Sequence, residues 1–189
     1  MNMVRQWFIN LFLFCSVTSL SGNEVLSSLK NEIPLYYGSF KATVQLVYSD
    51  GKMSSGILSY SYPNKLHIQQ SNGSVIATNG VKLWLYSRST NVCISQDVGK
   101  GYGGIIPSLS SYSGIKNEDG YAFERVTGYY RKIQIRTQDG MLRFIRLQSE
   151  KNTVQIKFSN IKTVKSFKAS LFNFKPSPNT QLLENPLKR

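Results

Sequence analysis

The side chains with the chemistry for catalysis are few and scattered. The chain holds one histidine, His67, and its parity with Lys65 and Gln69 sets it on the polar side of an alternating stretch, as an exposed residue rather than a general base. Cys93 lies beside Ile94 in an apolar run and reads as a small, partly buried side chain rather than a nucleophile. The ten Asp and Glu are spread too thinly to make the His/Cys/Asp/Glu cluster a metal needs, so neither a metal nor another cofactor is expected. Serine is abundant, but nothing in the sequence assembles a triad. The run GKGYGG from Gly99 has the composition of a phosphate loop, yet no GK[ST] follows and the strand–loop–helix context is missing. These residues predict a protein that is not an enzyme and has no catalytic residues.

Binding is better served. From Ser54 to Tyr86 the apolar side chains alternate through four strand-like segments, cut by Pro63-Asn64, Asn72-Gly73 and Asn79-Gly80. A meander of half-buried strands this long is expected to curl into an apolar trough.

The charge balance is strongly basic, 23 Lys and Arg against 10 Asp and Glu, a net +13. Such a surface attracts phosphates, anionic lipid headgroups or an acidic protein face through its long-range field. Nucleic acid is not expected as a partner: no RNP-type, zinc-finger or helix-turn-helix signature is present, and the N-terminus points to export.

That N-terminus carries Arg5 and then an uncharged apolar run from Trp7 to Val17, about half the ~20 residues that a membrane-spanning helix needs. Thr18 to Gly22 supplies small residues, with Ser19 and Ser21 at −3 and −1 of a cut before Gly22. Residues 1–21 are therefore expected to be a cleaved signal peptide. Cys15 is a poor lipidation site, because Leu13 and Phe14 stand where a lipoprotein signal wants small residues. Removal of the signal leaves Cys93 as the one cysteine, so no intrachain disulfide is possible and stability must come from a packed core. What remains is a single domain's worth of chain, expected over 22–178 with a loose polar tail at 179–189.

Within that domain, Val25, Leu26 and Leu29 repeat at helical spacing, and beyond Pro34 the period becomes two. Phe40, Ala42, Val44, Leu46 and Tyr48 share one strand face, and Asp50-Gly51 is a strong hairpin signal. Residues 99–120 read as a flexible loop with one helical turn near Pro107 to Tyr112. Strands resume at Tyr121–Val126, Tyr130–Thr137, Met141–Ser149 and Thr153–Asn160, with a last one near Phe167–Phe174. The expectation is mainly β, about nine to eleven antiparallel strands with one or two short helices.

Five stretches then resemble one family, the periplasmic outer-membrane lipoprotein carriers (LolA and its relatives). They are the N-terminal helix leading into SFKATVQLVYSDGK, the GxLxxxxPxxL segment from Gly56 to Leu66, VIATNGVKLWLY, the meander IQIRTQDGMLRFIRLQSEKNTVQIKFSNI, and FNFKPSPNTQLLE. They cover most of the chain after the signal, in the family's order. The resemblance implies a strongly curved antiparallel sheet forming a half-open β-barrel, lidded by helices, whose apolar inner face receives acyl chains. On that basis Phe40, Val44, Leu46, Leu58, Tyr60, Tyr62, Leu66, Ile68, Trp84 and Phe144 are the candidate cavity residues, with Leu66 near the mouth.

Two positions depart from the family. Tyr62 precedes Pro63 where many carriers have an arginine that latches the lid, and a tyrosine offers no guanidinium fork. Asn79 replaces the acid of the family's DGK, with the lysine displaced to Lys82. The expectation is a monomeric chaperone in the periplasm of a double-membraned bacterium. It would carry the acyl chains of lipoproteins or other lipids between an inner-membrane donor and an outer-membrane acceptor. A sensor of envelope lipoproteins with the same fold, or a structural or adhesive envelope domain with a filled barrel, stands as the alternative.

Overall fold

The computed structural model describes residues 22–33, 38–98 and 109–186. The signal peptide expected at 1–21 and the glycine-rich run from Gly99 fall outside them, the latter up to residue 108.

Helix α1 (Gly22–Glu32) carries Glu24 in its first turn and Lys30 in its last, each at the end of the helix dipole that favours it. Val25 and Leu29, one turn apart, continue to Ile33 as a single buried stripe. Twelve strands follow among the described residues: β1 (Ser39–Tyr48), β2 (Met53–Ser61), β3 (Lys65–Gln70), β4 (Val75–Thr78), β5 (Lys82–Ser87), β6 (Val92–Asp97), β7 (Ser113–Asn117), β8 (Gly120–Glu124), β9 (Lys132–Gln138), β10 (Met141–Gln148), β11 (Thr153–Val164) and β12 (Gln181–Glu184). They form one sheet in the order β12-β6-β5-β4-β3-β2-β1-β11-β10-β9-β8-β7. Its two end strands do not pair with each other, so the sheet curves without closing: a mainly β, half-open barrel.

The tight turns follow their sequences. Asp139 and Gly140 both take positive φ, 54° and 69°, as a two-residue hairpin of matching twist requires. The N- and C-terminal halves meet where β1 pairs with β11, Val44 opposite Phe158 and Leu46 opposite Ile156.

Alternation sends one side chain in two to the inner face, where Phe40, Val44, Leu58, Tyr60, Leu66, Ile68, Phe123, Ile133, Ile135, Ile145 and Phe158 make one buried cluster with Val25, Leu29 and Ile33 of α1. Gly114 of β7 lets the helix come close: a methyl group there would lie 2.9 Å from Val25 Cβ.

The C-terminal stretch differs from expectation. Phe167–Phe174 contains a 3-10 turn, Ala169–Phe172, not a strand, and the tail expected to be loose carries β12, which runs parallel to β6. Here the sheet is apolar on its outer side as well, and Val75, Ala77 and Cys93 are buried there. Phe172 is buried with them, and Phe174 stacks on Tyr86 with ring centroids 5.5 Å apart. Asn79 Nδ2 donates to Asn173 Oδ1 at 2.8 Å, and Asn91 Nδ2 to the Asn179 carbonyl at 2.8 Å. The segment is a strap, held because the outer apolar face of β4–β6 needs cover. Strand β7, in the stretch expected to be a loop, pairs with β8.

Candidate apolar binding groove

The structure gathers seven of the sequence-derived candidates and separates three. Phe40, Val44, Leu46, Leu58, Tyr60, Leu66 and Ile68 converge on the inner face and are all buried in the core. Tyr60 is the most enclosed: its ring lies 5.1 Å from that of Phe40, and its hydroxyl donates to the Pro63 carbonyl at 3.1 Å. Tyr62 is exposed just past the end of β2, its amide donating to the Gly38 carbonyl at 3.0 Å. Trp84 pairs across the sheet with Ala77 and Ser95 and so points to the outer side. Phe144 also points outward, because a register irregularity between Leu142 and Phe144 shifts the alternation of β10. There the Arg136 and Arg146 guanidinium groups lie 5.8 Å and 5.9 Å from its ring.

The open apolar surface lies next to this core. Register carries the inner face from Ile68 to Ile76, Leu85 and Ile94 in turn, and from Leu66 through Thr78 to Leu83. The core runs out along these strands: Ile76, Leu83 and Ile94 are half-buried and Leu85 is 38% exposed. Ile76, Leu85 and Ile94 border a groove of about 380 Å³, lined also by Gln70, Ser74 and Val92, among others. That is at the small end of the ~300–1,000 Å³ typical of ligand pockets. The groove is apolar and offers few hydrogen bonds, so an aliphatic chain suits it better than a polar metabolite.

The sequence carried a signal for this site. Val75-Ile76-Ala77, Leu83-Trp84-Leu85-Tyr86 and Val92-Cys93-Ile94 are apolar at consecutive positions, so both faces of β4–β6 need cover. The strap covers the outer face, whereas among the described residues the inner one is left open.

Helix α1 is latched over β7–β9 by Glu32. Its carboxylate accepts hydrogen bonds from Tyr121 Oη and Thr137 Oγ1, and from Lys116 Nζ at 3.3 Å. Partial burial pushes the Glu32 carboxyl upward, but the bonds from Thr137, Tyr121 and Lys116 together outweigh it and hold the group below its ordinary 4.5. A carboxyl depressed by folding contributes stability in full above its unfolded value, and that stability is lost as pH falls through the folded value. Protection of the α1 amides, relative to intrinsic exchange at each pH, is therefore expected to fall selectively as pH drops below about 4.5, and Glu32→Gln to abolish that step.

Burial pushes the Cys93 thiol up and holds His67 below its usual range. Cys93 is fully buried on the outer face, beneath the strap, and no group of three or more His, Cys, Asp or Glu among the described residues could hold a metal. No helix among them is long and apolar enough to cross a membrane. Leu109 and Tyr112, midway along the 99–120 stretch expected to be a loop, pack into the core, and the Tyr112 hydroxyl donates to the Tyr130 carbonyl at 3.0 Å.

A single curved, unclosed sheet, antiparallel except where β12 joins β6, with a helix packed on its inner face places the chain in the half-open β-barrel class. Among solved structures it is similar to an uncharacterized conserved protein from Thermus thermophilus, with a TM-score of 0.50 and 14% identity over 86% of this chain and 98% of that one. It is similar also to a DUF1329 family protein from Desulfovibrio piger, at 0.50 and 10% over 80% and 95%. A LolA superfamily protein from Nitrosomonas europaea aligns at 0.49 and 10% over 81% and 97%. At these identities the likeness is one of fold alone. No protein-family model matches the chain, and no curated protein does.

Proposed function

We propose that the protein binds acyl chains of lipids or lipoproteins in the groove between β4 and β6, as an exported carrier in the bacterial periplasm. One observation carries the reading: the inner face is packed over β1–β3 and β8–β11 but open and apolar over β4–β6. In this reading the chain lies on Ile76, Leu85, Val92 and Ile94, with Ile68 beneath its inner end. Each methylene buried contributes about 0.8 kcal/mol, so the groove favours long aliphatic chains by hydrophobic transfer alone. The protein shields its cargo and performs no chemistry on it.

The packed inner face favours a second reading, a non-carrier envelope domain whose working surface is its charged exterior. One experiment separates the two: delipidated protein is titrated with a fluorescent fatty acid, and a native preparation is weighed intact by mass spectrometry. Saturable uptake and a co-purifying acyl species support the carrier, whereas neither uptake nor cargo leaves the envelope domain.

A further inference from the structure

The registers bring the turns at 49–52, 71–74, 88–91, 125–131 and 149–152 to one end of the sheet. The groove opens at this same end, where Gln70, Ser74, Ser87 and Thr90 line it. Exposed apolar side chains stand on two of these turns' margins: Met53 is 68% exposed, Val126 83% and Tyr129 70%. Lys52, Arg88, Arg125, Arg131, Lys132 and Lys151 accompany them; Lys52 pairs with Asp50 at 2.7 Å, Lys132 with Glu124 at 2.6 Å and Arg131 with Glu150, so the rim keeps an excess of positive charge in Arg88, Arg125 and Lys151.

The 125–131 tip is built rather than loose. The Arg125 amide donates to the Arg131 carbonyl at 3.0 Å and the Arg125 Nε to the Tyr130 carbonyl at 3.0 Å. The Arg125 guanidinium also lies 4.4 Å from the centre of the Tyr112 ring. Gly128 takes a φ of 105°, and a methyl group there would lie 2.3 Å from that guanidinium. A tip this constrained holds Val126 and Tyr129 in water at no later ordering cost.

We propose that this rim docks the protein on an anionic phospholipid bilayer. Val126, Tyr129 and Met53 enter the headgroup layer while the cations meet lipid phosphates. A tyrosine suits that interface, with an apolar ring and a polar tip. Basic residues near an anionic leaflet are attracted to it, and the chain's overall positive charge adds to the field. Docking here sets the groove mouth against the bilayer, so that an acyl chain passes between them without crossing water. This rests on the acyl-binding reading of the groove and names the surface from which that groove is filled.

The test is flotation of the full chain with vesicles of phosphatidylcholine and phosphatidylglycerol, at about three to one, and with phosphatidylcholine alone. All variants share one N-terminus, so residues 1–21 contribute equally. Wild type is expected to float with the anionic vesicles, less so as salt rises, and V126S/Y129S to lose about tenfold in bound fraction. That variant takes up fluorescent fatty acid as wild type does, whereas Leu85→Asp floats normally and fails to take it up. Wild type that leaves the anionic vesicles unbound, or V126S/Y129S that floats as well as wild type, overturns the docking proposal. A wild type that floats but takes up no fatty acid overturns the groove reading alone.

Discussion

Leu85→Asp is expected to weaken fatty-acid binding by roughly a hundredfold while changing stability by less than about 1 kcal/mol. Leu85 is 38% exposed on the inner face of β5, so in the free protein an aspartate there reaches water and costs the fold little. A bound aliphatic chain would cover the same position and strip the carboxylate of its hydration, at a cost of about 3 kcal/mol or more. Fluorescent fatty-acid titration reads the affinity and urea unfolding the stability. Equal binding by variant and wild type would remove β5 from the site.

Tyr60→Ala is expected to do the reverse. Tyr60 is fully buried, stacked near Phe40 and hydrogen-bonded to the Pro63 carbonyl. Its truncation leaves an aromatic-sized cavity and an unpaired carbonyl, a loss of about 3–5 kcal/mol that lowers the thermal midpoint by about 10 °C. Tyr60→Phe keeps the ring and loses the hydrogen bond, at about 1 kcal/mol. Thermal and urea melts of the two variants separate packing from bonding. If Tyr60 lined an empty cavity instead, Tyr60→Ala would melt close to wild type and bind fatty acid less well.

The fold was legible where alternation and turn chemistry agree. Phe40-Ala42-Val44-Leu46 and Ile133-Ile135 each put one apolar residue in two inward, and Asp139-Gly140 fixes the hairpin between β9 and β10. Three features lay beyond local pattern. At Phe144 the irregularity in β10 shifted the parity, so that Leu142 and Ile145 share the inner face while Phe144 meets two arginines outside. The strap depends on contacts distant in sequence, Asn173 with Asn79 and Phe174 with Tyr86, which no short window contains. Strand β7 is short, with Gly114 at its second position, and is fixed by pairing with β8 rather than by its own propensity.

The site was half legible for a related reason. An alternating strand names the residues that face inward, but not which of them are covered by a helix and which are left open. Leu66 and Ile68 sit where the core is closed, whereas Ile76, Leu85 and Ile94, further along the same face, sit where it is not. The two-sided apolar character of β4–β6 distinguishes them. Similarly, the expected latch position at Tyr62 proved to be surface, while Glu32 holds α1 through partners more than 80 residues away in sequence.

The central claim is that an aliphatic chain occupies the inner face of β4–β6. Methyl NMR of the delipidated protein with a fatty acid spin-labelled near its tail tests it directly. Saturable broadening of the Ile76, Leu85 and Ile94 methyls is expected, with Ile145 and Ile133 unaffected. Broadening confined to methyls elsewhere on the chain, or none at saturating fatty acid, would contradict it.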